Sequence, residues 1–207
     1  MTKGFFITFE GPDGSGKTTQ IELLANYLRQ KGYEVITTRE PGGTPISEKI
    51  RNIILDPNNK EESGVTEALL YAASRAQHVA EKIKPALSAG KIVLCDRFMD
   101  SSLAYQAYAR GLGEDVIAIN MFAIQGCTPD LTLFLDLDPT IGQERQIARG
   151  KLDRLEQEGL IFQKKVYAGY QELIKKYPER FRVVNANREI KDIQNDIVCL
   201  IENLLKQ

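Results

Sequence analysis

The chain contains no tryptophan, a single histidine and only three cysteines. Cys95, Cys127 and Cys199 are odd in number, far apart and without metal-ligand spacing. A disulfide framework and a cysteine-built metal site are therefore not expected, and buried thiols in a reducing compartment are. Long apolar runs are also missing. The first, residues 5–9, is too short for a signal peptide, and nothing later nears the roughly 20 apolar residues of a membrane span. The expectation is a cytoplasmic protein with no membrane partner. An excess of one charge is lacking too: Lys plus Arg number 27 against 28 for Asp plus Glu, a net charge of −1. A general nucleic-acid or membrane-surface binder would show a basic surplus. No nucleic-acid partner is expected, and any basic chemistry must be local. The lone histidine, His78, reads as a packed or surface residue rather than a titrating catalyst.

What is present is ordinary in amount and ordered in pattern. A chain of 207 residues, 43% apolar and 27% charged, is long enough for one domain with a real core, or one domain carrying a mobile insert. Short β-rich runs at residues 5–10, 35–38, 92–96, 131–136 and 182–184 alternate with helical periods. Ile21, Leu24, Ala25 and Leu28 form one apolar stripe, stopped by Gly32; Ile190, Ile193, Ile197, Ile201 and Leu204 form another. Residues 66–89 read as helix, with Pro85 expected to kink or end it. The seven residues 58–64 read as a loop whose charges are solvated. Strands separated by helices imply an α/β fold, a five-stranded parallel sheet with helices on both faces.

Directly after the first strand comes Gly11-Pro12-Asp13-Gly14-Ser15-Gly16-Lys17-Thr18, and then the first amphipathic helix. This is the phosphate-loop pattern in the strand–loop–helix setting it requires. Glycines let backbone N–H groups converge on phosphate oxygens, and the helix N-terminus adds its positive end. Lys17, read as exposed at the loop and packing nothing, would reach the outer phosphates. A lysine at a helix start opposes the macrodipole, which makes sense where an anion sits. The Thr18 hydroxyl is a candidate Mg²⁺ ligand. The guanine-recognition motif and the signature of transporter ATPases are both absent from the sequence, which favours a small-molecule kinase.

Four further clusters fall near the carboxyl ends of strands, where open α/β sheets bind ligands. In the first, Arg39-Glu40-Pro41-Gly42-Gly43-Thr44-Pro45, the paired glycines would expose N–H groups to an anion, and Arg51 follows on a helix. The second ends an apolar strand in Asp96-Arg97: the acid is placed to hold Mg²⁺, with Asp136 as a rival, and the arginine to fork onto a phosphate. The third joins Tyr71 and Arg75, at i and i+4, with Ser101, Ser102, Tyr105 and Gln106, an aromatic face and planar donors suited to a flat base. The fourth, residues 144–154, carries Arg145, Arg149 and Arg154 around Gly150 and reads as a small mobile lid, about residues 143–158, closing over a transferring phosphate.

Taken together these residues resemble bacterial thymidylate kinases, in the P-loop nucleoside-monophosphate kinase group. The resemblance rests on Phe9-Glu10-Gly11 through Thr19, Arg39-Glu40-Pro41-Gly42-Gly43-Thr44, Asp96-Arg97-Phe98, Ser101-Ser102-Leu103-Ala104-Tyr105-Gln106 and Leu152-Asp153-Arg154-Leu155-Glu156. It implies a P-loop kinase fold over residues 1–207, the phosphorylation of dTMP to dTDP by ATP with Mg²⁺, and a homodimer. ATP would lie on Gly11, Pro12, Asp13, Gly14, Ser15, Gly16, Lys17, Thr18 and Thr19, with adenine near Asn185, Ala186 and Asn187. Thymine would sit between Tyr71, where the family more often has Phe, and the Ser102–Gln106 segment. Arg75 and Gln106 would read the base edge, Tyr105 would crowd a 2′-hydroxyl, and Asp13 would face the acceptor's 3′-hydroxyl. Arg39, Arg51 and Arg97 would hold the acceptor phosphate, beside Glu40 and Ser101. Catalysis would fall to Lys17, Arg97 and the lid residues Arg149 and Arg154, with Thr18 and Asp96 on the metal. The alternatives are a kinase for another pyrimidine monophosphate and a nucleotide-switched P-loop binding protein.

Overall fold

A computed structural model describes residues 4–150 and 153–206, apart from the Arg149 side chain. Five parallel strands, β1 (Phe5–Glu10), β2 (Val35–Arg39), β3 (Ile92–Asp96), β4 (Leu131–Asp136) and β5 (Phe181–Asn185), lie in the order β2-β3-β1-β4-β5. The sequence places all five, with β2 one residue longer than expected and β5 longer at both ends. Helices α1 (Lys17–Gln30), α2 (Pro45–Leu55), α3 (Gly64–His78), α4 (Lys84–Ser88), α5 (Met99–Ser102), α6 (Glu114–Ala123), α7 (Pro139–Arg149), α8 (Gly159–Lys176) and α9 (Ile190–Leu205) connect or follow them.

The period-2 alternation of buried strands sorts the core into two layers. Phe6, Val93, Cys95 and Phe134 face one way, against Val79, Ile83, Val166 and Tyr170. Ile7, Leu94, Leu133 and Leu135 face the other, against Leu24 and Leu28 of α1 and Ile197 and Ile201 of α9. Both apolar stripes in the sequence, apart from the exposed Ile190, are thus the inner faces of helices on the same side of the sheet. Pro85 neither ends nor isolates the helical stretch. The turn before it widens over Val79–Ile83, where Lys84 N–H bonds back to Val79, and α4 continues beyond it; a widened turn makes room for a ring that would clash in a regular one.

The crossover from β1 runs to β2 on one side of it, and those from β3 and β4 run toward the other side, so a crevice opens at the carboxyl end of β1. The register brings Arg39 level with Asp96, and Asp96 level with Phe9 next to the phosphate loop. One expected loop is more structured than its composition suggests. Glu62, read as solvated, is almost buried and pairs with Arg154 at 3.2 Å.

Candidate active site

The phosphate loop is shaped by its glycines. Gly11, Gly14 and Gly16 all have positive φ (138°, 79° and 89°). A Cβ on Gly11 would lie 2.5 Å from the Leu135 carbonyl, and one on Gly14 would lie 2.6 Å from that of Gly142. Helix α1 starts at Lys17 with no side-chain cap, so its first-turn N–H groups are free to face an anion. Lys17 corrects the expectation of an exposed side chain. It is only 7% exposed and donates to the Gly11 and Pro12 carbonyls at 3.1 and 3.0 Å. Burial, with Arg97 nearby, pushes its ammonium below the ordinary lysine range. Thr18 Oγ1 donates to Asp96 Oδ2 at 2.9 Å, which joins the two expected metal ligands. The rival acid, Asp136, accepts from Tyr167 at 2.8 Å and lines a different cavity.

In front of the loop lies a cavity of about 420 Å³, lined from several elements by Asp13, Arg39, Arg51, Tyr71, Arg75, Arg97, Ser101, Tyr105 and Gln106 among others. Arg97 holds a left-handed backbone (φ 66°), which turns the chain sharply after β3. Its guanidinium bonds Asp13, donates to Ser101 Oγ and Tyr170 Oη at 3.2 Å each, and lies over the Tyr105 ring. Behind it sits Glu10, wholly buried, accepting from Phe98 N–H, Ser101 and Tyr170 at 2.8, 2.6 and 2.7 Å. Burial, with Asp100 adding, pushes the Glu10 carboxyl up to about 7. Arg51 donates to the Pro41 carbonyl at 2.7 Å and Arg39 to Glu48 at 2.9 Å. The paired glycines do not offer free N–H groups. Gly43 N–H is taken by Glu48 at 2.7 Å and Gly42 N–H by Ser74 at 3.3 Å.

At the far end Arg75 is 1% exposed. Nε donates to Glu40 at 2.7 Å, Nη1 to Ser102 at 2.9 Å and to Asn120, and Nη2 to the Phe98 carbonyl at 3.0 Å. Four of the five guanidinium donors are therefore committed, and one on Nη2 is left. Glu40 is in turn bonded by His78 Nδ1 at 2.8 Å, and His78 Nε2 meets Thr38 Oγ1 at 2.7 Å. His78 is completely buried, a member of the network and not a surface residue. Glu40 and Ser102, expected at the substrate, hold Arg75; Ser102 does not line the cavity at all. Tyr105 Oη and Gln106 Oε1 are buried without a hydrogen-bond partner.

Arg154, expected on the lid, stands apart from the cavity lining. It donates to Glu67 at 2.7 Å, to Glu62 at 3.2 Å and to the Ile54 carbonyl at 2.8 Å. The Arg149 side chain, Lys151 and Leu152 lie outside the described residues. Arg145, by contrast, donates to the Gly14 carbonyl at 3.0 Å and so touches the phosphate loop directly. Asn185 and Asn187 line a second cavity of about 310 Å³ with Asp136 and Tyr167, whereas Ala186 is buried in the core. Glu10, Glu67, Asn120 and Tyr170 had no local sequence signal; an acid ending an apolar strand, as Glu10 does, was the one available clue.

The phosphate-loop segment, the three arginines Arg39, Arg51 and Arg97, and the polar ends of Tyr105 and Gln106 share one crevice. The thymidylate kinase family model matches residues 9–197. A thymidylate kinase of Clostridium novyi (strain NT) is 52% identical over 200 residues, covering 95% of this chain and 98% of its own. One from Oceanobacillus iheyensis is 52% identical over 207 residues, 99% of this chain and 92% of its own. The crystal structure of thymidylate kinase from Ehrlichia chaffeensis superposes with a TM-score of 0.78 at 35% identity, over 97% of this chain and 99% of that one. The chain belongs to the thymidylate kinase family.

Proposed function

We propose that the crevice seats ATP and dTMP with their phosphates meeting between Lys17 and Arg97, within one kinase domain over residues 1–207 that carries a lid at about 143–158. The reaction is that of the family: ATP-dependent phosphorylation of dTMP to dTDP, a phosphotransfer step in nucleotide biosynthesis. The observation that carries the seating is the convergence of Arg39, Arg51 and Arg97 on the cavity that the phosphate loop also lines. A nucleotide switch has no use for a second anion site.

ATP's phosphates lie along Gly11, Pro12, Asp13, Gly14, Ser15, Gly16, Lys17, Thr18 and Thr19, held by loop and α1 N–H groups. Lys17 exchanges its two carbonyl partners for phosphate oxygens. Thr18 and Asp96 are the residues that would hold Mg²⁺. A hydroxyl and one carboxylate suit an ion that takes few protein ligands and fills the rest with phosphate and water, and it would draw charge from the transferring group. The acceptor's second pKa is ~6, so its phosphate is already mostly a dianion at neutral pH and needs no general base. The work of the chain is positioning and charge neutralisation. Arg97, braced by Ser101 and Tyr170, grips the acceptor phosphate with Arg39 and Arg51, and Asp13 turns to the 3′-hydroxyl. Arg149 and Arg154 arrive with the lid.

Tyr71 stacks on thymine, the free Nη2 proton of Arg75 meets its O4, and the unpartnered Gln106 oxygen accepts from N3–H. Tyr105 fills the space of a 2′-hydroxyl. Asn185 and Asn187 flank adenine. A homodimer is supported by an apolar patch on α3 and α6, where Val65, Leu69, Met121 and Phe122 are 58%, 52%, 53% and 86% exposed. No helix of the described residues is long and apolar enough to cross a membrane, and a cytoplasmic location accords with three free cysteines, of which Cys95 is buried as expected, Cys127 only partly and Cys199 exposed.

The test is ADP release from ATP with a panel of nucleoside monophosphates. Release that depends on dTMP and far exceeds that with dCMP or dUMP is expected. Release independent of any acceptor would favour the switch, and equal rates would favour a general pyrimidine kinase.

A further inference from the structure

Gln106 faces Glu67 of α3, and both are buried (1% and 0% exposed). Gln106 Nε2 donates to Glu67 Oε1 at 2.9 Å. The two ends of a glutamine amide are nearly equal in shape, so hydrogen bonding alone decides which end faces where. A carboxylate only accepts, and a turned amide would set oxygen against oxygen between two buried side chains. The amide oxygen is therefore the end left over. It is buried, takes no hydrogen bond among the described residues, and belongs to a residue that lines the cavity.

Glu67 is itself kept charged. Arg110 donates to it from Nε and Nη2 at 3.3 and 3.0 Å, and Arg154 at 2.7 Å. Burial alone would raise its carboxyl, but these donors and Gln106 outweigh burial and hold it below the usual glutamate range. Arg110 keeps this role when Arg154 swings away with the lid.

We propose that Glu67 is the positioning residue that makes the site select thymine over cytosine, by locking the Gln106 amide with its oxygen toward the base. This rests on the base pocket described under Proposed function. Thymine presents N3–H, a donor, and O4, an acceptor; cytosine presents an acceptor at N3 and an amine at C4. The locked Gln106 oxygen matches the first and the remaining Arg75 proton the second, so thymine meets two complementary partners. Cytosine meets acceptor against acceptor and donor against donor, and buried polar groups left unpaired are costly. No contact between Glu67 and the base is required.

Steady-state kcat/KM for dTMP and dCMP is measured for the parent chain, E67Q, Q106L and the double variant. In E67Q the amide is free to turn. The dTMP:dCMP ratio should narrow at least tenfold, chiefly through KM. E67D, which restores an acceptor, should recover part of the preference. Q106L should narrow the ratio similarly, and adding E67Q to it should change the ratio no further. A parent chain that does not prefer dTMP, or a Q106L variant that keeps the preference, would overturn the base-pocket reading. A narrowed ratio in Q106L with an unchanged one in E67Q, or an equal E67Q effect in both backgrounds, would overturn the role of Glu67 alone. Should E67Q fail to fold, the side-chain NH₂ resonance of Gln106, assigned by its loss in Q106L, decides the matter on the parent chain. Slow proton exchange supports the lock, and free exchange contradicts it.

Discussion

At the donor end of the crevice the phosphate loop holds its form through the backbone: three glycines at positive φ, an uncapped helix start, and Lys17 tied to carbonyls five and six residues before it. At the acceptor end Arg75 draws its partners from β2's end, α5 and α6, and Glu10 is bonded by Tyr170, 160 positions away. The phosphate loop at the donor end needs only a tight turn and reads phosphate, not base. The acceptor end is a set of buried charges that fix one another, which is how a site becomes selective for one base. Stability and specificity are therefore joined at the acceptor end and separate at the donor end.

Lys17→Ala breaks the donor end alone. Turnover at saturating substrates should fall about 10²- to 10³-fold, as when a charge-stabilising group is lost, while dTMP binding by titration calorimetry is nearly unchanged. Loss of dTMP binding in the same measure would erase the distinction between the ends. Arg154→Ala tests whether the lid cation leaves Glu67 and Glu62 for the reacting phosphate. kcat should drop on the order of 10³-fold, the lower end for such arginines, with the dTMP affinity of the resting enzyme held. A pure stability loss would leave Arg154 as a brace for Glu67.

The Glu10→Gln variant sharpens the comparison through pH. The folded carboxyl titrates near about 7 against an ordinary value of 4.5, so between those values the folded chain holds a proton that the unfolded chain has released. Stability falls as pH rises through this window. At about 1.4 kcal/mol per unit of pKa the swing is on the order of 3 kcal/mol. Glu10→Gln removes the titration, so its melting temperature relative to the parent chain should climb from pH 5 to pH 7.5; a constant difference would refute a buried, titrating Glu10. Smallest is Tyr105→Ala, which empties the space opposed to a 2′-hydroxyl. The ratio of kcat/KM for dTMP over its ribose counterpart should shrink by roughly tenfold, the scale of one pocket contact.

The donor end was legible in the sequence because its physics is contained in eight consecutive residues, Gly11 to Thr18. The strands β1, β3 and β4 were legible as largely apolar runs, and the edge strands β2 and β5 as short β-rich ones. The acceptor end was legible as candidate chemistry, arginines for a phosphate and an aromatic face with planar donors for a base, and the individual roles came from a family resemblance. Glu40 and Ser102 have the chemistry to touch a substrate, and only the fold shows them spent on Arg75. His78 lies one turn from Arg75 in sequence, yet its partner Glu40 arrives from 38 positions away. Glu67 meets Arg154 across 87 positions, so no local pattern could have shown that the lid and the base pocket share a carboxylate.

The central claim, that acceptor and donor occupy separately built ends of one crevice, is tested most directly by the Michaelis constants of Arg75→Ala for both substrates. A charged hydrogen bond of about 1.5–3 kcal/mol is lost to the base edge, and the Glu40 network loosens with it. KM for dTMP should rise roughly ten- to a hundredfold while KM for ATP stays within about twofold of the parent chain. Equal rises for both, or an unchanged KM for dTMP, would contradict the account.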